Sequence, residues 1–152
     1  MSSRLRVLVK GIVQYKDTYL AVERWYDDRI FDPYQWEFID GELEFGETPE
    51  VAVQRVVEQQ TGLIVQVDKP AYTWGFTAGE ICTIGIAFLC DAQTDDVALS
   101  EELHDSQWVP KGEITQVITN QAVVSDIEKA GLTSSFEIDD FGKVDLFIEP
   151  MD

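Results

Sequence analysis

One short stretch constrains the fold more than any other. Thr48 to Thr61 carries both a start and a stop for a helix: Thr48 as N-cap, Pro49 at the first helical position, Glu50 in the first turn, and Gly62 just past the end. Apolar, β-rich runs flank it. Arg4 to Tyr15 and Thr18 to Arg24, parted by Lys16-Asp17, read as a hairpin. Leu63 to Val67, Ala71 to Thr77 and Ile81 to Asp91 read as strands, and the last is apolar enough to lie at the centre of a sheet. A capped helix framed by strands buries its apolar stripe on a sheet, so the order argues a mixed α/β or α+β layered domain.

The remaining segments fill in that plan. Trp25 to Gln35 is a long loop rich in aromatics and Asp, Gln35 to Phe38 is short and strand-like, and Asp40-Gly41 is a turn signal. Ser106 to Val109 is a short strand closed by Pro110, and residues 112–118 and 120–130 read as helices. With 152 residues and no repeat or linker, one domain over residues 1–132 is expected. Residues 133–152 form an extension that reads as a hairpin, packed either on the domain or on the partner subunit of a homodimer.

Charge narrows the partners. Eleven Lys and Arg against 29 Asp and Glu give a net charge of −18. That field repels nucleic-acid backbones and acidic membranes, so neither is an expected partner. No run approaches the roughly 18 apolar residues of a membrane span, and the N-terminus lacks a signal-peptide pattern. Cys82 and Cys90 lie about 26 Å apart along one extended run, too far for a disulfide. The expected location is cytoplasmic.

Trp36 to Leu63 runs WEFIDGELEFGETPEVAVQRVVEQQTGL. This resembles the Nudix hydrolase signature: a Gly, five residues, Glu, seven residues, then Arg-Glu-apolar-x-Glu-Glu-x-Gly-apolar. Gly41, Glu47, Arg55, Val57, Gly62 and Leu63 fall on the pattern. Leu20 to Arg24 resembles the upstream strand, and Ser100 to Val109 the downstream Glu-rich loop and Trp-Val strand. The resemblance covers about residues 5–130 and implies a Nudix-like α/β/α sandwich, a mixed sheet between helices. It also makes Gly41, Arg55 and Gly62 structural signature residues, Arg55 bracing the loop through a carboxylate.

The signature's catalytic chemistry is interrupted. Where the family's glutamates bind the magnesium ions that activate water, this chain has Val56, Gln59 and Gln60. Taking Arg55 as zero on a helical wheel, Gln59 lies at about 40°, Val56 at about 100° and Gln60 at about 140°. Glu58, at about 300°, sits on the wrong side to replace them. A unit charge pair at 4 Å is worth about 4 kcal/mol at an effective dielectric near 20, so losing three carboxylates removes much of the attraction for a divalent ion.

Other residues carry the remaining expectations. Glu47 and Glu102 are the candidate catalytic carboxylates, and Glu47, Glu44 and Glu101 the candidate ligands of a rebuilt site for Mg or Mn. Glu47 alternatively interacts with the helix N-terminus. Arg24 is a candidate phosphate contact, and Trp25, Phe31 and Tyr34 offer faces for a base. His104 is expected only to face solvent. The leading expectation is a Nudix-fold protein binding a nucleotide or diphosphate-containing small molecule, with Mg-dependent hydrolysis weakened or lost and no cofactor needed. The alternative is an active pyrophosphohydrolase of a nucleoside diphosphate derivative working through the rebuilt metal site.

Overall fold

The computed structural model describes residues 3–25 and 35–134. Strands β1 (Arg4–Tyr15) and β2 (Thr18–Arg24) form the expected hairpin, with Lys16 in the left-handed region at φ 55°. Two short strands follow, β3 (Trp36–Glu37) and β4 (Ile39–Glu42), then helix α1 (Pro49–Thr61). Next come the long strands β5 (Val65–Ala78) and β6 (Ile81–Ala92), then β7 (Leu103–Pro110). A 3-10 turn over Lys111–Glu113, the four-residue α2 (Ile114–Val117) and α3 (Gln121–Lys129) complete the described chain.

These strands make one mixed sheet in the order β3-β2-β1-β6-β5, with β4 also pairing β1 and β7 pairing β2. β6 is interior, as its apolar sequence requires, running parallel to β1 and antiparallel to β5. Alternation along β1 divides the core between two faces. Val9 and Val13 join Val53 and Val57 of α1 on one face. Ile12 joins Ile114, Ile118 and Ile127 on the other. The result is the α/β/α sandwich, with Lys10 of β1 falling on the α3 side.

Helix α1 begins and ends where its caps require. The Thr48 hydroxyl accepts from the Val51 N–H at 3.3 Å, and Gly62 closes the helix in the left-handed region at φ 75°. Backbone N–H groups of Ala98 and Ser100 donate to the carbonyls of Thr61 and Gln60, satisfying acceptors that a helix end leaves open.

Some elements differ from their sequence reading. Asp40-Gly41 is strand, not turn, because Lys10 pairs with Asp40 and Val9 with Gly41 along β4. The two expected strands over 63–77 are one, bulged on either side of Lys69-Pro70, where proline cannot donate to the ladder. β7 is longer at both ends, since β2 offers a matching edge from Thr18 to Arg24. The helix expected over 112–118 tightens into the 3-10 turn and α2. The extension beyond Ser134 lies outside the described residues.

Candidate functional site

The signature helix lies across β4, and three positions, two buried and one exposed, decide what its signature face can do. Val56 is 2% exposed and packs on Gly41, so closely that a Cβ there would sit 2.8 Å from Val56 Cγ2. Gln60 is 6% exposed. Its Nε2 donates to the carbonyl oxygen of Asp40 at 2.9 Å, while its buried Oε1 has no hydrogen-bond partner among the described residues. Gln59 is exposed and its Oε1 accepts from Arg55 Nη1 at 3.2 Å. The face is an alkyl group and two neutral amides.

Such a set does not fit a magnesium ion, which selects carboxylate, phosphate and water oxygens in near-octahedral array. Among the described residues, no group of three or more His, Cys, Asp or Glu side chains gathers to hold a metal.

The loop before the helix is closed by Arg55. Its Nε donates to Glu47 Oε2 at 2.6 Å and its Nη2 to Glu47 Oε1 at 2.9 Å and to the Glu42 carbonyl at 2.8 Å. Glu47 Oε1 also accepts from the Glu44 N–H at 2.9 Å, and the Glu44 carboxylate lies 3.7 Å from Arg55 Nη1. The hydrogen bonds from Arg55, then that from Glu44, hold the Glu47 carboxyl below its ordinary value.

Arg24, at the end of β2, is similarly engaged. Its Nε donates to Glu37 Oε2 at 2.5 Å and its Nη2 to Asp40 Oδ1 at 3.1 Å, with Glu102 at 3.6 Å from Nη1. Burial first, and then Asp40, push the Glu37 carboxyl up against the opposing pull of Arg24. Beside this cluster Trp25 packs against His104 with ring centroids 4.3 Å apart and planes tilted by 58°, and His104 Nδ1 is 2.7 Å from Glu23 Oε1. His104 therefore anchors the end of β2 rather than simply facing solvent.

On the α3 side of the sheet lies a cavity of about 650 Å³ bounded by β1, β5 and α3. Lys10 forms part of its wall although it is 7% exposed. Its ammonium lies 3.2 Å from the Tyr72 hydroxyl and 4.4 Å from the centroid of the Trp74 ring. Burial pushes the Lys10 ammonium down from its ordinary value, opposed by Asp40, Glu37 and Asp126.

The family model for the NUDIX domain matches residues 4–127. The chain belongs to the Nudix hydrolase superfamily. It is 29% identical over 143 residues to the nucleoside triphosphatase NudI of Enterobacter sp. (strain 638), the match covering 85% of this chain and 99% of that one. NudI of Escherichia fergusonii matches equally, at 29% identity over the same shares. Among solved structures, the MutT protein of Methanosarcina mazei Go1 superposes with a TM-score of 0.73 at 21% identity, covering 86% of this chain and 96% of that one.

Within the Nudix fold the residues singled out from sequence divide into separate groups. Gly41 lies against Val56, Arg55 donates to Glu47 across the loop, and Gly62 ends α1 in the left-handed region. Glu44 and Glu47 face Arg55, Glu102 faces Arg24, and Glu101 is exposed. Trp25 is half exposed, and Phe31 and Tyr34 lie outside the described residues. Sequence reasoning missed the cavity. Its one available signal was Lys10, a lone cation in the middle of the apolar run of β1.

Proposed function

We propose that this chain is a Nudix-fold binding protein for a nucleotide-type small molecule, with the ordinary magnesium-dependent hydrolysis weakened or lost. The observation that carries this reading is the bond from Gln60 Nε2 to the Asp40 carbonyl. It sets a neutral donor on a backbone oxygen at the buried face of the signature helix. A cation and an N–H donor cannot both occupy that oxygen's inner side. The cavity beside Lys10 supports the binding half of the reading, since its volume lies in the usual range for small-ligand sites. Family membership alone does not supply catalysis, which resides in the site.

A second reading is supported by the relatives' printed activity, nucleoside triphosphatase. An active pyrophosphohydrolase would draw its Mg or Mn site from Glu44, Glu47, Glu101 and Glu102, with one glutamate as base. Glu44, Glu47 and Glu102 would first have to leave their arginines.

The test is phosphate and nucleotide release from a panel of nucleoside triphosphates and diphosphate derivatives with Mg or Mn, comparing the natural chain with Glu47→Gln. Equilibrium dialysis of the same panel, with the parent nucleosides added, runs alongside. The proposal expects retention of at least one compound and no release by either protein. Release by the natural chain that Glu47→Gln abolishes would establish the second reading instead.

A further inference from the structure

We infer that Gln60 and Ser100 hold one long-lived water molecule, buried between the last turn of α1 and the loop that carries Glu101 and Glu102. Such a molecule belongs to the fold under either functional reading above.

Two buried side-chain atoms among the described residues have no hydrogen-bond partner, Gln60 Oε1 and Ser100 Oγ. They fall at one junction. The Ser100 N–H donates to the Gln60 carbonyl at 2.9 Å, and the Ala98 N–H to that of Thr61 at 2.8 Å, so the loop runs alongside the helix end. Gln60 is 6% exposed, and the bond from its Nε2 to the Asp40 carbonyl orients the amide. With Nε2 committed there, the planar amide turns Oε1 away from that carbonyl. From Asp40 the contacts return to the loop. Its carboxylate accepts from Arg24 Nη2 at 3.1 Å, and Arg24 Nη1 lies 3.6 Å from Glu102. The Leu103 N–H then donates to the Ser100 carbonyl at 3.2 Å. Helix, β4, β2 and loop thus close a ring of contacts at the junction where both oxygens are buried.

The two oxygens call for a partner of particular chemistry. Gln60 Oε1 can only accept, whereas Ser100 Oγ can both donate and accept. Left unpaired away from solvent, each would carry its full desolvation penalty. One water molecule donates to Gln60 and makes its second bond with Ser100, meeting the polar partners that a buried water needs. An anion has no proton to offer Oε1. A magnesium ion seeks octahedral oxygens rich in carboxylate or phosphate, and two neutral oxygens fall short of that. Solvent therefore supplies the donor that the neutral amide of Gln60 lacks. Through Ser100 it also ties the Glu101-Glu102 pair to the helix.

The test is oxygen-17 relaxation dispersion of the solvent, which counts water molecules held longer than the protein takes to tumble. It is applied to the natural chain, Ser100→Ala and Gln60→Met, with urea unfolding of the same chains as the second readout. The natural chain should hold about one long-lived water more than either folded variant. Ser100→Ala should lower the folding equilibrium constant about fivefold or more, because it removes a bond and leaves Gln60 unpaired. A dry junction predicts the opposite sign, since deleting an unpaired hydroxyl relieves a penalty. Ser100→Ala is the smaller change and carries the test should Gln60→Met fail to fold. Equal counts in the natural chain and Ser100→Ala, or a Ser100→Ala chain at least as stable as the natural one, would each overturn the inference. So would a melting temperature that rises saturably as potassium replaces sodium at constant ionic strength, with the rise lost in Ser100→Ala. That result would place a monovalent cation at the junction instead.

Discussion

Gln60 and Asp40, twenty positions apart, are joined side chain to backbone at 2.9 Å, tying the last turn of α1 to strand β4. The bond puts an amide N–H where a carboxylate would place another acceptor. Gln60→Glu therefore removes a donor, buries a charge and sets it against a carbonyl oxygen. The variant should lose about 2–4 kcal/mol of stability at neutral pH. Its carboxyl should titrate above the usual carboxylate range, because only the protonated form can donate to Asp40. The deficit should therefore shrink as pH falls, which urea unfolding at several pH values measures directly.

Gly41 and Val56 form a second constrained pair. A methyl group on residue 41 would stand 2.8 and 3.0 Å from the two Val56 methyls. Gly41→Ala should destabilise by about 1–3 kcal/mol through overpacking. Val56→Ala empties the space that methyl needs, so the double variant should be more stable than the sum of the singles by about 1 kcal/mol, read from a double-mutant cycle.

The Glu47–Arg55 clamp has a pH signature. The folded-state value of Glu47 lies below its ordinary value through hydrogen bonds from Arg55 and Glu44. Its contribution is then present above the unfolded value and lost as pH falls through the folded one. Carbon-detected NMR titration should place the Glu47 midpoint below 4.5, and Arg55→Ala should move it upward. Amide exchange at Glu44 should quicken over the same acid range, as its acceptor protonates.

Lys10 acts in the opposite range. Burial lowers its folded-state value below 10.5, so between the two values the unfolded chain holds more protons and stability rises with pH. Lys10→Met removes that rise. The stability difference, natural chain minus variant, should therefore increase with pH in mildly alkaline buffer. That window lies below the ionisation of Tyr19, which burial pushes up to about 12.

Much of the fold was legible in the sequence because local chemistry and tertiary structure agree there. Thr48, Pro49 and Gly62 mark helix ends by backbone rules that packing does not override. The apolar run of β6 marks an interior strand, and the neutral side chains of Val56, Gln59 and Gln60 could be read directly. The Asp40-Gly41 pair misled because the glycine is there for the close approach of Val56 rather than for a turn. The cavity was illegible for a different reason. Lys10, Trp74 and Asp126 come from β1, β5 and α3, and only the parallel pairing of β1 with β6, flanked by β5, brings them together. The commitment of Arg24 to Glu37, Asp40 and Glu102 is likewise a long-range result that reading along the chain does not show.

The central claim is that the signature face of this Nudix domain is closed by neutral hydrogen bonding rather than by a divalent ion. Manganese titration followed by water-proton relaxation, at physiological salt, reads that claim most directly. The account predicts weak, non-saturating uptake by the acidic surface, unchanged in Glu47→Gln. A single saturating Mn site on the natural chain, abolished by Glu47→Gln, would contradict it.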